Sequence, residues 1–545
     1  MATSRKARFP GEDEDDRVAP GDYSFVVVAN RLPVDRGRGP DGETEWLASP
    51  GGLVAALEPV VRDAKGAWVG WPGDAGPAPE EFDSGGMHLA GVGLSAAEMR
   101  HFYEGFCNAT LWPLYHDVIA PPEFHRTWWE AYVTVNRRFA RAAARQAAPG
   151  ATIWVHDYQL QLVPGMLREV RHDVRIGFFN HIPFPGYEIF AQLPWRRQII
   201  DGLVGADLLG FQRQQDATNF MRACRRAAGL STRGALIRVP DPRPAPGEPG
   251  HESSGPPVQG AGGPPRSDTD EYRQRRWEAA GTGSREVRAA TFPISIDTAA
   301  YEELAGRADV RARAQEIRAT LGEPSIVLLG VDRLDYTKGI LHRLSAYSEI
   351  LDEGSLTVPE AVLVLVASPS RERVEHYRLL RDEVEVTVGR MNGKHGELGH
   401  PPVQYLHQSY PREEMVALYL AADVMLVTSL RDGMNLVAKE YVACRLDDTG
   451  ALVLSEFTGA ADELNGAFLV NPHDIRGMKD TIVRAARVSP AEARRRMRSM
   501  RRRVREHDVA FWAASFLSAL EKPPAGAGFP EAAPEPASGP GPAGS

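Results

Sequence analysis

The chain of 545 residues, with 43% hydrophobic and 25% charged residues, has the composition of a globular protein and is long enough for two or more domains. No apolar run approaches the roughly 20 residues of a membrane span, and the net charge of -9 argues against a general nucleic-acid binder. The polar start and the wide spacing of Cys107, Cys224 and Cys444 indicate neither a secretion signal nor a disulfide or metal-ligand framework. We therefore expect a cytoplasmic protein without membrane or nucleic-acid partners.

Strands and helices alternate along the chain between three segments that are rich in Pro and Gly and poor in large apolar residues, which we expect to be disordered. These segments are residues 1–21, about 240–272 and 523–545. The predicted strands are, in chain order, FVVVAN (25–30), TIWVHD (152–157), RIGFFNH (175–181), DLLGF (207–211), SIVLLGVD (325–332), AVLVLVAS (361–368), VQYL (403–406), DVMLVTS (423–429), ALVLSE (451–456) and AFLVNP (467–472).

Short, nearly continuous apolar strands that alternate with helices indicate parallel sheets covered on both faces. Two such units joined near residues 289–297 predict an α/β fold with two Rossmann-like domains, residues 22–288 and 289–506. The basic segment 494–506 falls in a predicted helix that Ser489, Pro490 and Glu492 open as a capping box. We interpret it as a solvated helix face rather than a nucleic-acid surface.

Polar side chains follow the predicted strands, where ligands of open parallel sheets bind. In the second half these are Asp332, Arg333, Lys338, Ser370, Arg371 and Asp432, and in the first half Asn30, Arg31, His156, Asp157 and His181. Such polar density at one edge of each sheet exceeds what ordinary loops require. It predicts a polar cleft there.

The stretch LVTSLRDGMNLVAKEY (426–441) runs from a strand through a glycine turn into a helix that we expect to begin near Asn435. The amides of Met434 to Val437 would then be unpaired at the positive end of the helix, which suits a diphosphate. Glu440 would lie roughly 7 Å further along the axis, about the distance to the ribose of the same nucleotide. The alternative is an aspartate cap followed by a surface glutamate.

Two further segments fit phosphate chemistry. Arg333 and Lys338 lie on a strand-to-helix loop, where two cations could neutralise a leaving diphosphate; the alternative is a solvated loop with an Arg333–Asp335 pair. Gly51 and Gly52 open a helix and permit close approach of a phosphate. By contrast, GVGLSA (91–96) fits a loose dinucleotide fingerprint, but we interpret it as a turn followed by a Ser95–Glu98 cap. His156, Asp157 and His181 lack metal-ligand spacing, so we expect no metal.

Nine segments together resemble the trehalose-6-phosphate synthase family of retaining glycosyltransferases, in order from about residue 24 to 520. They are VVVANRLPV, SPGGLVAALEP, WVGWPG, YEGFCNATLWPLYHD, WVHDYQLQLVP, GFFNHIPFP, GVDRLDYTKGI, PSRERVEHY and LRDGMNLVAKEYVA. The resemblance implies two Rossmann domains facing a cleft, the GT-B architecture, with an acceptor domain first and a donor domain second. It also implies a last helix, within 507–522, that crosses back to the first domain.

The resemblance assigns roles to individual residues. The donor, a nucleoside-diphosphate glucose with UDP or GDP, would meet Gly51, Gly52, His181, Arg333, Lys338, Asp432, Met434, Asn435, Leu436, Val437 and Glu440. The acceptor, glucose 6-phosphate, would meet Arg31, Trp71, Tyr103, Trp112, Asp157 and Arg371. Catalysis would rest on Asp157, His181, Arg333, Lys338 and Asp432, without cofactor, metal or protein nucleophile, because the departing phosphate helps to deprotonate the incoming hydroxyl on the same face of the sugar.

Some features depart from the family pattern. Asn180 stands where an apolar residue is commoner and could alter donor preference, whereas Ser429, in place of a commoner proline, and the long 240–272 insertion look peripheral. No phosphatase module follows, so we expect a separate trehalose-phosphate phosphatase to act on the product, and we expect a homo-oligomer. The alternatives are a synthase of the same fold with another acceptor, giving glucosylglycerol phosphate or a pseudo-disaccharide phosphate, and a non-catalytic sugar-phosphate sensor.

Overall fold

The computed structural model describes residues 21–38, 44–49, 52–240, 284–371 and 373–522. The predicted tails and the insertion lie almost entirely outside these residues. The described part of the chain forms a ten-stranded sheet, a six-stranded sheet and a two-stranded ribbon. Helices flank both large sheets, so the predicted α/β fold with two Rossmann-like units is confirmed.

The first sheet has the strand order β10-β11-β12-β9-β8-β7-β1-β4-β6-β5, and β2 pairs only with β3. Its central strands, from β12 to β6, are parallel, and antiparallel strands close both edges. The strands are β1 (Tyr23–Arg31), β2 (Val34–Arg38), β3 (Thr44–Ala48), β4 (Ala67–Trp71), β5 (Phe82–Ser84), β6 (Met87–Gly91), β7 (Ala147–His156), β8 (Arg175–Phe179), β9 (Leu208–Phe211), β10 (Ser231–Arg233), β11 (Leu236–Pro240) and β12 (Ser284–Thr291).

The second sheet is wholly parallel, with the order β15-β14-β13-β16-β17-β18. Its strands are β13 (Ile326–Arg333), β14 (Ala361–Ser368), β15 (Val403–Leu406), β16 (Val424–Val427), β17 (Ala451–Ser455) and β18 (Phe468–Val470). Six of the ten predicted strands belong here. All ten predicted strands are confirmed, with ends that move by up to two residues, except that β7 begins five residues before the predicted start.

The α-helices are α1 (Gly52–Asp63), α2 (Ala96–Glu98), α3 (Trp112–Tyr115), α4 (Arg126–Gln146), α5 (Val163–Val170), α6 (Tyr187–Phe190), α7 (Arg196–Leu203), α8 (Gln214–Ala228), α9 (Thr298–Gly306), α10 (Ala308–Thr320), α11 (Ile340–Asp352), α12 (Glu375–His395), α13 (Arg412–Ala421), α14 (Leu436–Cys444), α15 (Ile475–Ala486), α16 (Pro490–Glu506) and α17 (Val509–Glu521). A π-helix spans Met99–Leu111, and 3₁₀ turns span Tyr158–Leu160, Tyr336–Lys338 and Gly459–Asp462. The predicted Ser95–Glu98 capping box is present. No helix in this described set is long and apolar enough to cross a membrane.

Strand β12 was not predicted, because its inward and outward residues alternate and its sequence contains no continuous apolar run. It pairs with β9 in the first sheet, so the chain leaves that sheet after Thr291. The predicted boundary at residue 288 therefore falls inside a strand. The domain limits otherwise stay a prediction.

Helix α17 packs against the first sheet. Phe516 stacks on Trp154 at a centroid distance of 4.7 Å, and Trp512 contacts both Trp154 and Phe179. Gly177 and Gly210 make room for this helix, because a Cβ at either position would lie within 2.8 Å of the Phe516 ring. The last described helix thus covers strands of the first half.

The basic helix α16 begins after Ser489, whose side chain accepts from the Glu492 amide, as predicted. Its arginines are not simply solvated, however. Arg501 pairs with Asp448 and Glu302 and is 9% exposed, and further ion pairs join Arg496 to Glu492, Arg498 to Asp448, Arg503 to Glu463 and Arg505 to Glu302. The exposed arginines Arg494, Arg495, Arg498, Arg502 and Arg505 form a solvated face, as predicted. The interpretation is wrong for Arg501, which is buried among its ion pairs.

Candidate active site

The predicted cleft is present, because residues from the ends of both sheets meet across it. Gly433, after β16, lies so close to the first half that a Cβ there would come within 2.3 Å of the His181 carbonyl oxygen. Arg371, after β14, donates to the Tyr158 hydroxyl at 3.1 Å. The rule that ligands bind beyond the carboxyl ends of parallel strands therefore identifies the correct edge of each sheet.

Lys338 and Asp432 form an ion pair at 2.6 Å, and both side chains are largely buried. Burial alone would raise the pKa of Asp432, but the Lys338 ammonium outweighs this and lowers it, helped by an Asn435 amide that donates at 3.2 Å. Ser429 also lies 3.4 Å from this carboxylate, so its interpretation as peripheral is wrong. The pair presents one cation and one fixed carboxylate to the cleft.

Helix α14 begins at Leu436, in agreement with the predicted start near Asn435. Its N-cap is Asn435, whose side chain accepts from the Ala438 amide, so the alternative of an aspartate cap is wrong. Gly52 opens helix α1 on the opposite side, and a Cβ at Gly52 would lie 2.8 Å from the Leu436 side chain. The N-termini of two helices therefore lie close together. Because the first amides of a helix have no partner within the helix, this is a favourable place for a diphosphate. Gly51 lies outside the described residues.

Glu440 lies on the second turn of α14 and is partly buried. Its Oε2 accepts from the Tyr419 hydroxyl at 2.7 Å, and Tyr301 lies close to the carboxylate. Burial raises the pKa of Glu440. The alternative of a surface glutamate is wrong. Sequence analysis missed both tyrosines because they lie on α13 and α9, far from Glu440 in the chain.

His181 lies beside His156, with 3.1 Å between His181 Nε2 and His156 Nδ1. Burial lowers the pKa of His181 to about 3 and lowers that of His156 well below its usual value, so both imidazoles are neutral. The Trp512 ring lies 6.0 Å from that of His181. Asn180 is buried and donates to the Ile182 carbonyl oxygen.

Asp157 adopts a φ of 75°, and its Oδ1 accepts from the His181 backbone amide at 3.1 Å. Burial raises the pKa of Asp157 to about 6 against these hydrogen bonds and the nearby arginines. A side chain in this left-handed backbone conformation is held by its surroundings, which is common at functional sites. The carboxylate therefore titrates close to the physiological range.

A cavity of about 330 Å³ opens between the two halves, lined in part by Arg31, Trp71, Tyr103 and Arg371. Arg31 pairs with Asp35 at 2.5 Å and lies over the Trp71 ring. Trp112 lies behind this cavity, with its ring 3.8 Å from the Arg371 guanidinium. Four of the six predicted acceptor residues thus line one cavity. A fifth, Trp112, packs against the Arg371 guanidinium.

Arg371 does not open a helix. It has a φ of 50°, and helix α12 starts only at Glu375. The Arg371 side chain is 6% exposed and donates to Asp335 at 3.3 Å and to the Tyr377 hydroxyl at 2.5 Å.

Arg373 is 72% exposed and pairs across the cleft with Glu104 at 3.5 Å. Arg333 lies over the Trp112 ring. The predicted Arg333–Asp335 ion pair is present, but its atoms are 3.9 Å apart, which is too far for a hydrogen bond. Arg333 is 46% exposed and open to the cleft.

No group of three or more His, Cys, Asp or Glu side chains that could hold a metal occurs within the ranges that the structure describes. The three cysteines are buried and free. The polar residues of the cleft therefore comprise cations, neutral histidines and isolated carboxylates. This set suits electrostatic stabilisation of phosphate groups.

The chain is similar to known proteins over most of its length. The model of glycosyltransferase family 20 matches residues 23–522. The trehalose-6-phosphate synthase of Mycobacterium avium (strain 104) is 55% identical over 504 residues, which cover 92% of this chain and 96% of that protein.

Two solved structures share the fold. An α,α-trehalose-phosphate synthase (UDP-forming) from Burkholderia xenovorans in complex with glucose-6-phosphate is 31% identical, with a TM-score of 0.77 and coverage of 91% of this chain and 100% of that chain. A structure described as trehalose-6-phosphate from E. coli bound with UDP-2-fluoro glucose is 31% identical, with a TM-score of 0.75 and coverage of 91% and 99%. The chain belongs to glycosyltransferase family 20.

Proposed function

We propose that the protein is a retaining glycosyltransferase that synthesises α,α-trehalose 6-phosphate from a nucleoside-diphosphate glucose and glucose 6-phosphate. The observation that carries the proposal is the cleft in which the Lys338–Asp432 pair and two facing helix N-termini lie beside a cavity lined by Arg31 and Arg371. Such a cleft offers separate places for a diphosphate and for a sugar phosphate. The match to the family over residues 23–522 supports the same activity.

On the donor side, the diphosphate would lie between Arg333, Lys338, Gly52 and the first amides of α14, from Met434 to Val437. Glu440 would accept hydrogen bonds from the ribose hydroxyls through Oε1, because Oε2 accepts from Tyr419. Asp432 and the neutral His181 would bind the glucose hydroxyls. The Lys338–Asp432 ion pair holds both groups before the donor arrives.

On the acceptor side, the phosphate dianion of glucose 6-phosphate would meet Arg31 and Arg371, with Trp71, Tyr103 and Trp112 as the walls. Asp157 would accept from an acceptor hydroxyl and orient it. During transfer the bond between the anomeric carbon and the diphosphate oxygen breaks, and a bond to the acceptor oxygen forms on the same face of the glucose. The acceptor proton passes to the departing phosphate, whose charge Arg333 and Lys338 stabilise.

A donor-by-acceptor matrix tests this proposal, with release of nucleoside diphosphate as the readout. The donors are UDP-, GDP- and ADP-glucose, and the acceptors are glucose 6-phosphate, glycerol 3-phosphate and water. We expect turnover with glucose 6-phosphate and at least one donor. Turnover with glycerol 3-phosphate alone would favour a related synthase. Tight binding of the substrates without turnover would favour a sensor. A sensor has no need of cations that stabilise a leaving group. A separate phosphatase and a homo-oligomeric assembly stay predictions from the sequence.

The activity should depend on the ionisation of Asp157. Its raised pKa of about 6 means that the carboxylate forms as the pH rises through 6, and the acceptor phosphate also ionises near pH 6. The logarithm of kcat/KM for the acceptor should therefore rise with a slope of about two below pH 6 in the wild type and about one in Asp157→Asn.

Asp216 is the control for this pH profile, because burial also raises its pKa to about 6 but its carboxylate faces Arg431. In Asp216→Asn, the logarithm of kcat/KM for the acceptor should still rise with a slope of about two below pH 6. If Asp157→Asn has the same pH profile as the wild type, Asp157 does not act on the acceptor as a carboxylate.

Chelation should leave turnover unchanged, because Arg333, Lys338 and helix N-termini are placed to neutralise the diphosphate. The measurement compares initial rates before and after exhaustive treatment with EDTA. Complete loss of activity that magnesium restores would contradict this expectation.

A further inference from the structure

Asp335, which follows β13, joins groups that the proposed function assigns to different substrates. Its side chain is fully buried. Its Oδ1 accepts from the Thr337 amide at 3.0 Å and from the Thr337 hydroxyl at 2.8 Å, and its backbone carbonyl oxygen accepts from the Lys338 amide at 3.0 Å. One residue therefore fixes the Tyr336–Lys338 turn that carries the proposed leaving-group lysine.

The other carboxylate oxygen, Oδ2, lies beside Arg371, which lines the acceptor cavity. It accepts from the Tyr377 hydroxyl at 3.1 Å and from Arg371 Nη1 at 3.3 Å, and it lies 3.9 Å from Arg333 Nη2. Tyr377 in turn accepts from Arg371 at 2.5 Å. The arginine proposed for the acceptor phosphate and the arginine proposed for the diphosphate thus share one oxygen atom.

The charges explain why a carboxylate is needed there. Arg333, Lys338 and Arg371 would repel one another in a partly dry cleft if no anion lay between them. Burial alone would raise the pKa of Asp335, but Arg371 and the other cations outweigh this and lower it to about 2, so the group stays ionised. Asp335 therefore offsets part of the charge of Arg371 and Arg333, as Asp432 does for Lys338.

We propose that Asp335 is a positioning residue that sets the placement of Arg371 and of the Arg333–Lys338 loop relative to each other, so that one carboxylate organises both substrate sites. The proposal rests on the proposed function. Asp335 touches neither substrate. It acts through the cations that do.

Asp335→Asn tests this role, because the amide oxygen can keep the Thr337 bonds while its N–H groups then face Arg371 and Tyr377 and repel the guanidinium. The affinity of the purified full chain for UDP alone and for glucose 6-phosphate alone is measured by calorimetry. We expect each affinity to fall about tenfold, as for the loss of a charge-assisted contact.

Asp332→Asn is the matched control. Asp332 is a buried aspartate at the end of the same strand, and its carboxylate accepts from Arg343 at 2.8 Å rather than from Arg333 or Arg371. This variant should lower the melting temperature but keep both affinities within about twofold. Equal affinities in Asp335→Asn and wild type, or equal losses in both variants, would overturn the proposal. Failure of wild type to bind glucose 6-phosphate would instead overturn the proposed function.

Tyr377→Phe decides the question if Asp335→Asn does not fold. It removes only the hydroxyl that bridges Asp335 and Arg371. We expect a loss of about three- to tenfold in affinity for glucose 6-phosphate and none for UDP. An unchanged affinity for glucose 6-phosphate would overturn the proposal.

Discussion

Replacing Lys338 with alanine is expected to lower kcat about 100- to 1000-fold, the loss typical of removing one fixed group that stabilises charge in a transition state. Lys338 is held at 2.6 Å from Asp432, so its ammonium is oriented before the substrate binds. The charge of the departing diphosphate is greatest as its bond to glucose breaks. The loss should therefore appear in kcat more than in the KM of the donor.

The substitution also leaves Asp432 without its cation. Because the Lys338 ammonium is what lowers the pKa of Asp432, that pKa should rise in the variant and add a pH-dependent part to the loss. Lys394→Ala is the control, since this lysine is 61% exposed and pairs with Asp352 away from the cleft. A Lys338→Ala enzyme within tenfold of wild-type kcat would remove Lys338 from the role of stabilising the leaving group.

Replacing Arg371 with alanine is expected to raise the KM for glucose 6-phosphate about ten- to a hundredfold, because a hydrogen bond to a charged group typically contributes roughly 1.5–3 kcal/mol. The arginine lines the acceptor cavity and lies flat against Trp112. Arg371→Lys should recover little of this loss, since an ammonium cannot replace a planar guanidinium that stacks and forms several bonds.

Arg371→Ala should also destabilise the fold, because it removes a cation from the buried Asp335 carboxylate. Kinetics should therefore be measured well below the melting temperature of the variant. Arg373→Ala is the matched control, because Arg373 is two residues away, lines the same cavity and is largely exposed. An unchanged acceptor KM in Arg371→Ala, or an equal loss of donor affinity, would place Arg371 outside the acceptor site.

The central strands could be predicted from the sequence because strands such as β14 (Ala361–Ser368) are continuous apolar runs in a sheet buried on both faces. Several strands of the first half were missed, among them the buried central strand β4 (Ala67–Trp71), and most of the others lack such a run. β12 (Ser284–Thr291) alternates, β5 (Phe82–Ser84) has three residues, and the β2–β3 ribbon is largely polar. Such segments depend on pairing partners that a local pattern does not reveal.

The candidate site could likewise be predicted only in part. The positions of Lys338, Asp432 and Asn435 could be predicted from the ends of strands and the starts of helices. They follow from the geometry of a parallel sheet. The contacts that hold them were not predictable. Asp335 could be named only as a partner of Arg333, and its bond to Arg371 depends on a left-handed backbone conformation at residue 371 that no local motif signals. Tyr419 reaches Glu440 from another helix.

The identity of the product tests the proposed function most directly. Purified protein is incubated with UDP-glucose and glucose 6-phosphate labelled with ¹³C at its anomeric carbon, and the product is characterised by NMR spectroscopy and mass spectrometry. We predict a non-reducing disaccharide monophosphate in which both anomeric centres have the α configuration, with the label in the linkage. A β linkage to the transferred glucose, a free reducing end on the labelled ring, or release of UDP with glucose as the only sugar product would contradict it.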